Sequence, residues 1–220
     1  MTQGHHFKST VTKEKYGYED QLWDHVLLES RHFVALPTLG HLVQGWLLVV
    51  PRDCYLCVGA LPSQLLPELA DFIERVTSLV ESEYGPVAIF EHGPAQRHTA
   101  VGCGVDHAHV HVVPVESDWS LLQIAKNLAP QLTWETASSI QDTKEYFINN
   151  KPYLFLHEPF SINPVIGTGT SIPSQLFRRI IARHEGRPQD FDWKIHPEHK
   201  QICATVERLQ KYSSCMFRLK

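Results

Sequence analysis

The chain has 220 residues, 43% of them hydrophobic, enough to bury one substantial core and too few for several large domains. Its formal net charge is −4 with histidine neutral, which excludes a general coat for a nucleic-acid polymer but leaves room for a local anion pocket. Fourteen histidines raise the expectation of a histidine-dependent site.

Residues 1–21 are polar and charged, and read as a loosely docked N-terminal arm rather than a secretory leader. "WDHVLLES" and "RHFVALP" follow as two short strands, and "TLGHLVQ" is a loop leading to "GWLLVVP", a buried strand ended by Pro51. The lone Cys54-x-x-Cys57 has no second pair, and Tyr55 and Leu56 between the cysteines favour ordinary packing. The five cysteines are Cys54, Cys57, Cys103, Cys203 and Cys215. An odd number without a leader points to a reducing, cytoplasmic setting. From Pro62 the period changes. Leu65, Leu69, Phe72, Ile73, Val76, Leu79 and Val80 recur every three or four residues, which predicts one long amphipathic helix to about Glu83.

"PVAIFEHG" is a further strand, "PAQRHTAVGCG" a glycine-containing loop, and "VDHAHVHVVP" the strand with most chemistry. Strands, one long helix and strands again predict an α+β fold with a mostly antiparallel sheet. This core spans 22–116. Residues 117–220 read as a C-terminal, largely helical extension packed on it: a helix over 118–129 capped by Asp118, a strand at "YLFLHEP", a loop at "SINPVIGTGTSIPS", a helix from Ser174 to Gly186, and a last helix in "HPEHKQICATVERLQKY". No apolar run is long enough to span a bilayer, so no membrane partner is expected.

On a strand, His107, His109 and His111 share one face while Ala108, Val110 and Val112 point into the core. Three chemistries fit this pattern. Alternating histidines can ligate zinc, though adjacent members sit about 6–7 Å apart along one strand and three would converge poorly on one ion. They can decorate a solvated face. Or a neutral imidazole can attack phosphorus in line, its other nitrogen protonated and held, with backbone N–H groups of the glycine loop holding phosphate oxygens. The third uses both the histidines and the glycines.

"HAHVHVV" resembles the His-φ-His-φ-His-φ-φ signature of the histidine triad (HIT) superfamily of nucleotide hydrolases and transferases, and the elements of 22–116 fall in that family's order. The resemblance implies a HIT-like fold and an enzyme that cleaves at the α-phosphorus of a nucleotide conjugate, such as a dinucleoside polyphosphate, nucleotide-sugar or phosphoramidate. It makes His109 the nucleophile, and His107 and His111 its neighbours. It also implies a nucleotide substrate, no cofactor and a homodimer. A nucleotide-binding protein with weak or lost activity is the alternative, and a zinc-dependent hydrolase the third.

Other positions carry over one by one. The loop Gly102, Cys103, Gly104 and Val105 stands where the family has Gly-Gln-Ser/Thr-Val, so its backbone donors remain but the amide and hydroxyl are lost. Thr38 stands where an Asp or Asn would meet the ribose, and Trp46 where many members carry another histidine. Phe33 and Leu39 are candidates for a nucleobase pocket. Glu91 stands near a phosphate-touching position, with His92, Arg97 and His98 as a basic cluster over the leaving group. The branch that transfers uridylyl groups replaces the third histidine with Gln; this chain keeps His111. Arg178, Arg179 and His184 of the extension have two readings, near the site or a partner subunit, or on a surface basic helix face; the surface face is the favoured one.

Overall fold

The computed structural model describes residues 24–99, 101 and 105–213. The expected N-terminal arm, Gly102, Cys103 and Gly104 of the glycine loop, and Cys215 lie outside these residues. Eight strands form one sheet: β1 Leu28–Glu29, β2 Phe33–Pro37, β3 Leu47–Pro51, β4 Val87–Gly93, β5 Val110–Pro114, β6 Thr133–Thr136, β7 Tyr153–His157 and β8 Val165–Thr168. Their order is β1-β2-β3-β5-β4-β7-β8-β6, antiparallel at every pairing. Among the described residues five α-helices accompany it: α1 Leu66–Tyr84, α2 Leu121–Leu128, α3 Thr143–Ile148, α4 Leu176–His184 and α5 His199–Ser213. This is the α+β architecture expected from the sequence. No helix among the described residues is long and apolar enough to cross a membrane.

The sheet has two covered faces, and strand alternation decides which residue meets which cover. On one face α1 presents Leu69, Phe72, Ile73, Val76 and Val80 to Phe33, Ala35, Leu47, Val49, Val110 and Val112. Pro67 occupies the helix's first turn and Gly85, at φ 91°, ends it. On the other face α2 and α4 cover Trp46, Ala88, Phe90, Val113, Leu154 and Leu156. Trp193 and α5 cover Val34, Leu36, Leu48 and Val50.

The region after Glu116 therefore does more than pack on the core. Its β7 pairs with β4, β8 with β7 and β6 with β8, so the sheet continues through it. β8 lies inside the Gly- and Pro-rich stretch read as a loop. Helix α2 is capped by Ser120, whose side chain accepts Gln123 N–H at 3.1 Å, not by Asp118. Helix α4 starts after Gln175, a left-handed residue at φ 56°, and Ser174 does not cap it.

β4 also carries a buried acid. Glu91 faces α1's side of the sheet, where its carboxylate accepts Val58 N–H and Tyr153 O–H, each at 2.7 Å. The Tyr153 hydroxyl in turn accepts Gly59 N–H at 3.0 Å. A Cβ on Gly93 would fall on the Tyr153 ring, so this glycine lets the ring lie against β4. Burial raises the Glu91 carboxyl from 4.5 to about 7, against the lowering effect of the two hydrogen bonds. The Cys57 thiol beside it is pushed up to about 12, chiefly by burial and then by Glu91.

Because the folded value lies above the unfolded one, this group's stabilisation is complete below pH 4.5 and is lost as pH rises through about 7. Urea unfolding across that window should show wild type losing up to about 3 kcal/mol relative to Glu91→Gln, which cannot ionise. Parallel stability curves would show that the carboxyl ionises in the fold as it does in the open chain.

Candidate active site

His111 is the one triad histidine inside the ladder. It pairs with Leu48 of β3 and Phe90 of β4, on the face away from α1. Its ring stacks on Phe90, centroids 4.5 Å apart at 21°. The Trp46 indole donates its N–H to His111 Nδ1 at 3.0 Å. An indole nitrogen only donates, so Nδ1 must accept and the His111 proton resides on Nε2.

His107 and His109 lie in the segment before β5 rather than on the strand, because the ladder opens at Val110. Tyr55 holds this segment by accepting Ala108 N–H at 2.6 Å. His109 Nδ1 lies 2.8 Å from the carbonyl oxygen of His107. A carbonyl only accepts, so Nδ1 carries the proton and Nε2 the lone pair. The His109 and His111 rings stand 5.0 Å apart at 72°. His107 turns to the end of β3, where its Nε2–H meets Pro51 O at 2.9 Å. Burial lowers its basicity; the Pro51 carbonyl and Asp53 act against that. The three imidazoles thus have three different partners.

The roof of this face comes from the extension. Phe177 of α4 lies 4.8 Å from Phe90 and 5.3 Å from His92, centroid to centroid. Arg178, expected at the surface, is 2% exposed. Its guanidinium lies 4.7 Å from the Trp46 ring centroid, its Nε donates to Phe191 O at 3.0 Å, and its Nη2 donates to Gly40 O. Gly40 has φ 66°, and a Cβ there would run into Arg178 and Trp193. The charge is thus held by carbonyl dipoles and an aromatic face. The near-continuous apolar run around Arg178, from Leu176 to Ala182, was the available sign that this helix is buried on nearly all sides.

His92 sits on the same face, two residues along β4 from Phe90. It is 2% exposed, and its ring centroid is 6.1 Å from that of His111. Burial lowers it to about 3, and the nearness of His109 and of the Arg178 guanidinium acts in the same direction, so it is neutral near pH 7.

The other positions named from sequence are dispersed. Glu91 is removed from a phosphate role: strand alternation turns it to the opposite face, into the network with Tyr153. Phe33 also faces α1, 6.4 Å from Phe72. It lines the main core, not a pocket beside the histidines. The Thr38 hydroxyl, buried, donates to Leu39 O at 2.9 Å. Leu39 and Val105 pack with Trp193, Ile202 and Val206, so the extension covers them. His98 is exposed at φ 61°, its ring 3.1 Å from Asp106, and Arg97 is exposed beside it. Neither forms a roof over the buried imidazoles. Among the described residues no cluster of His, Cys, Asp and Glu has metal-binding geometry.

No protein-family model and no curated protein matches the chain. Solved structures with a similar arrangement include a hypothetical histidine triad nucleotide-binding protein from Sulfolobus tokodaii, at 19% identity and TM-score 0.39 over 51% of this chain and 70% of that one. A Hit-like protein involved in cell-cycle regulation from Bartonella henselae aligns at 15% identity and TM-score 0.38, over 50% and 79%. A HIT family protein from Bacillus anthracis aligns at 19% and 0.35, over 47% and 84%.

Trp46→Phe keeps the ring but leaves His111 Nδ1 buried without this donor, which should cost about 1–3 kcal/mol of stability. It should also populate both His111 tautomers, read from the ring 15N shifts. A single unchanged tautomer would show that the indole does not set it.

Proposed function

We propose that this protein is a histidine-triad-type enzyme that transfers or hydrolyses a nucleotidyl group through a covalent bond to His109. The observation that carries this reading is the 2.8 Å contact between His109 Nδ1 and the His107 carbonyl. It commits the proton to Nδ1 and aims the chemistry through Nε2.

The Nε2 lone pair forms a bond to the α-phosphorus, and the bond from phosphorus to the leaving group breaks, its electron pair departing with that group. Water or another acceptor hydroxyl then attacks phosphorus. The P–N bond returns its pair to Nε2, and the attacking oxygen releases its proton. The His111 Nε2–H, set by Trp46, is a donor to the phosphoryl oxygens that gain charge. His107, anchored on Pro51, holds the carbonyl that orients His109. In sequence, Cys103 and Gly104 supply no side-chain amide or hydroxyl for the leaving group. Leaving groups that depart without a proton, such as a nucleoside diphosphate, suit this site best.

A binding protein with reduced turnover is the second reading. It draws on the cover of Trp193, Ile202 and Val206 over Leu36, Leu39 and Leu48.

Wild type and His109→Gly should be tested against adenosine phosphoramidate and dinucleoside polyphosphates. Rapid acid quench and mass spectrometry should find one nucleotidyl group on wild-type His109. The variant should lose turnover by at least about a thousandfold. Undiminished turnover in His109→Gly would remove the assignment, and tight nucleotide binding without turnover by wild type would favour the second reading.

A further inference from the structure

We propose that His92 is a fourth working imidazole of this site: a neutral N–H donor to the phosphoryl oxygen on which charge builds as His109 attacks. The proposal rests on the reading of His109 as nucleophile and extends it to a residue outside the triad.

The register places it. Phe90 of β4 pairs with His111 of β5. Two residues further along β4, His92 keeps to the same face, its ring centroid 6.1 Å from that of His111, whose ring in turn stands 5.0 Å from that of His109. His109 also lies within electrostatic reach of His92.

Its surroundings define what it can do. His92 is 2% exposed, and neither ring nitrogen has a hydrogen-bond partner among the described residues. The buried His41 is different: its Nδ1 meets Thr38 O at 3.3 Å and its Nε2 the Thr205 hydroxyl at 2.7 Å. A buried polar ring left unsatisfied is uncommon and calls for a use. The groups that face it are His109 from the segment before β5, His111 from β5, Phe177 and Arg178 from α4, Phe90 on its own strand and Leu154 across on β7. The ionisable members of that set carry positive charge or none, so nothing there would draw a proton onto His92.

A neutral imidazole can still polarise an oxygen by hydrogen bonding, without giving up its proton. A donor held in a water-excluded site is effective because it need not reorganise as charge develops. The need for one is visible in the sequence: Cys103 and Gly104 bring no side-chain amide or hydroxyl. His92 adds a side-chain donor from the adjacent strand, and Phe177 keeps it dry.

The test uses the full chain with His92→Phe, His92→Gln and His92→Asn, each checked for fold by its amide spectrum. Adenosine with orthovanadate, a five-coordinate phosphoryl mimic, is titrated into 15N-histidine-labelled wild type. A His92 ring N–H should move downfield and exchange slowly, while its nitrogens keep the neutral pattern. On a substrate that wild type turns over, His92→Phe should lower kcat by about 100-fold with little change in KM. The amide variant that reaches the oxygen should recover about tenfold of that loss.

A His92 resonance indifferent to vanadate while those of His109 and His111 shift would overturn the proposal, as would His92→Phe with wild-type kcat. Retained turnover in His109→Gly would instead sink the nucleophile reading. The vanadate response of His92 is read separately from it.

Discussion

The hydrogen bond from the Trp46 indole to His111 is the constraint on which the arrangement of the site depends. A histidine in that place could donate or accept, whereas an indole can only donate. Trp46 therefore imposes one tautomer on His111. Trp46 is itself fixed, edge-on to Phe90 with centroids 5.9 Å apart and beneath the Arg178 guanidinium. A continuous set of contacts thus runs from Gly40 O through Arg178 and Trp46 to His111, and on to His109. Its Arg178 belongs to the region after Glu116, so the extension takes part in holding the histidines in place.

Glu91 and His92, neighbours on β4, show what burial does on the two faces of one strand. Both are driven towards their uncharged forms by loss of water, the carboxyl up and the imidazole down. Glu91 has Val58 and Tyr153 as partners and can be read as structural. His92 has none among the described residues, and it is the one on the histidine face. Their effects on stability have opposite sign. The Glu91 term is lost as pH rises through about 7, and the His92 term as pH falls from the ordinary imidazole range towards 3.

Much of the frame was legible in the sequence, because it follows from local periodicity. The three- and four-residue spacing of α1, the strands β3 and β4 and the alternating histidines are all local patterns. Three-dimensional context decided the rest. β8 is hidden in a Gly- and Pro-rich stretch because it is a short strand supported by its neighbours on both sides. The late start of β5, at Val110, goes with the hydrogen bonds that Tyr55 O and Pro51 O accept from the segment before it. Arg178 looked like a surface charge because its partners, Gly40 O and the Trp46 ring, are distant in sequence. The displacement of Glu91 could have been read in advance: in "FEHG" the two-residue period puts Glu91 opposite His92, so both could not face one phosphate.

The pairing of β4 with β7 has a consequence for how the chain reaches this state. Phe90 pairs with His111 on one side and with Leu156 on the other. A nascent chain that has released β5 can close the first edge of β4 at once. The second edge stays open until Tyr153–His157 has emerged, and its row of unpaired backbone groups is a template for wrong partners meanwhile. The roof over His92 comes later still, with Phe177. The imidazole cluster is therefore assembled early but dried last, and folding is slowed by pairings between strands far apart in sequence.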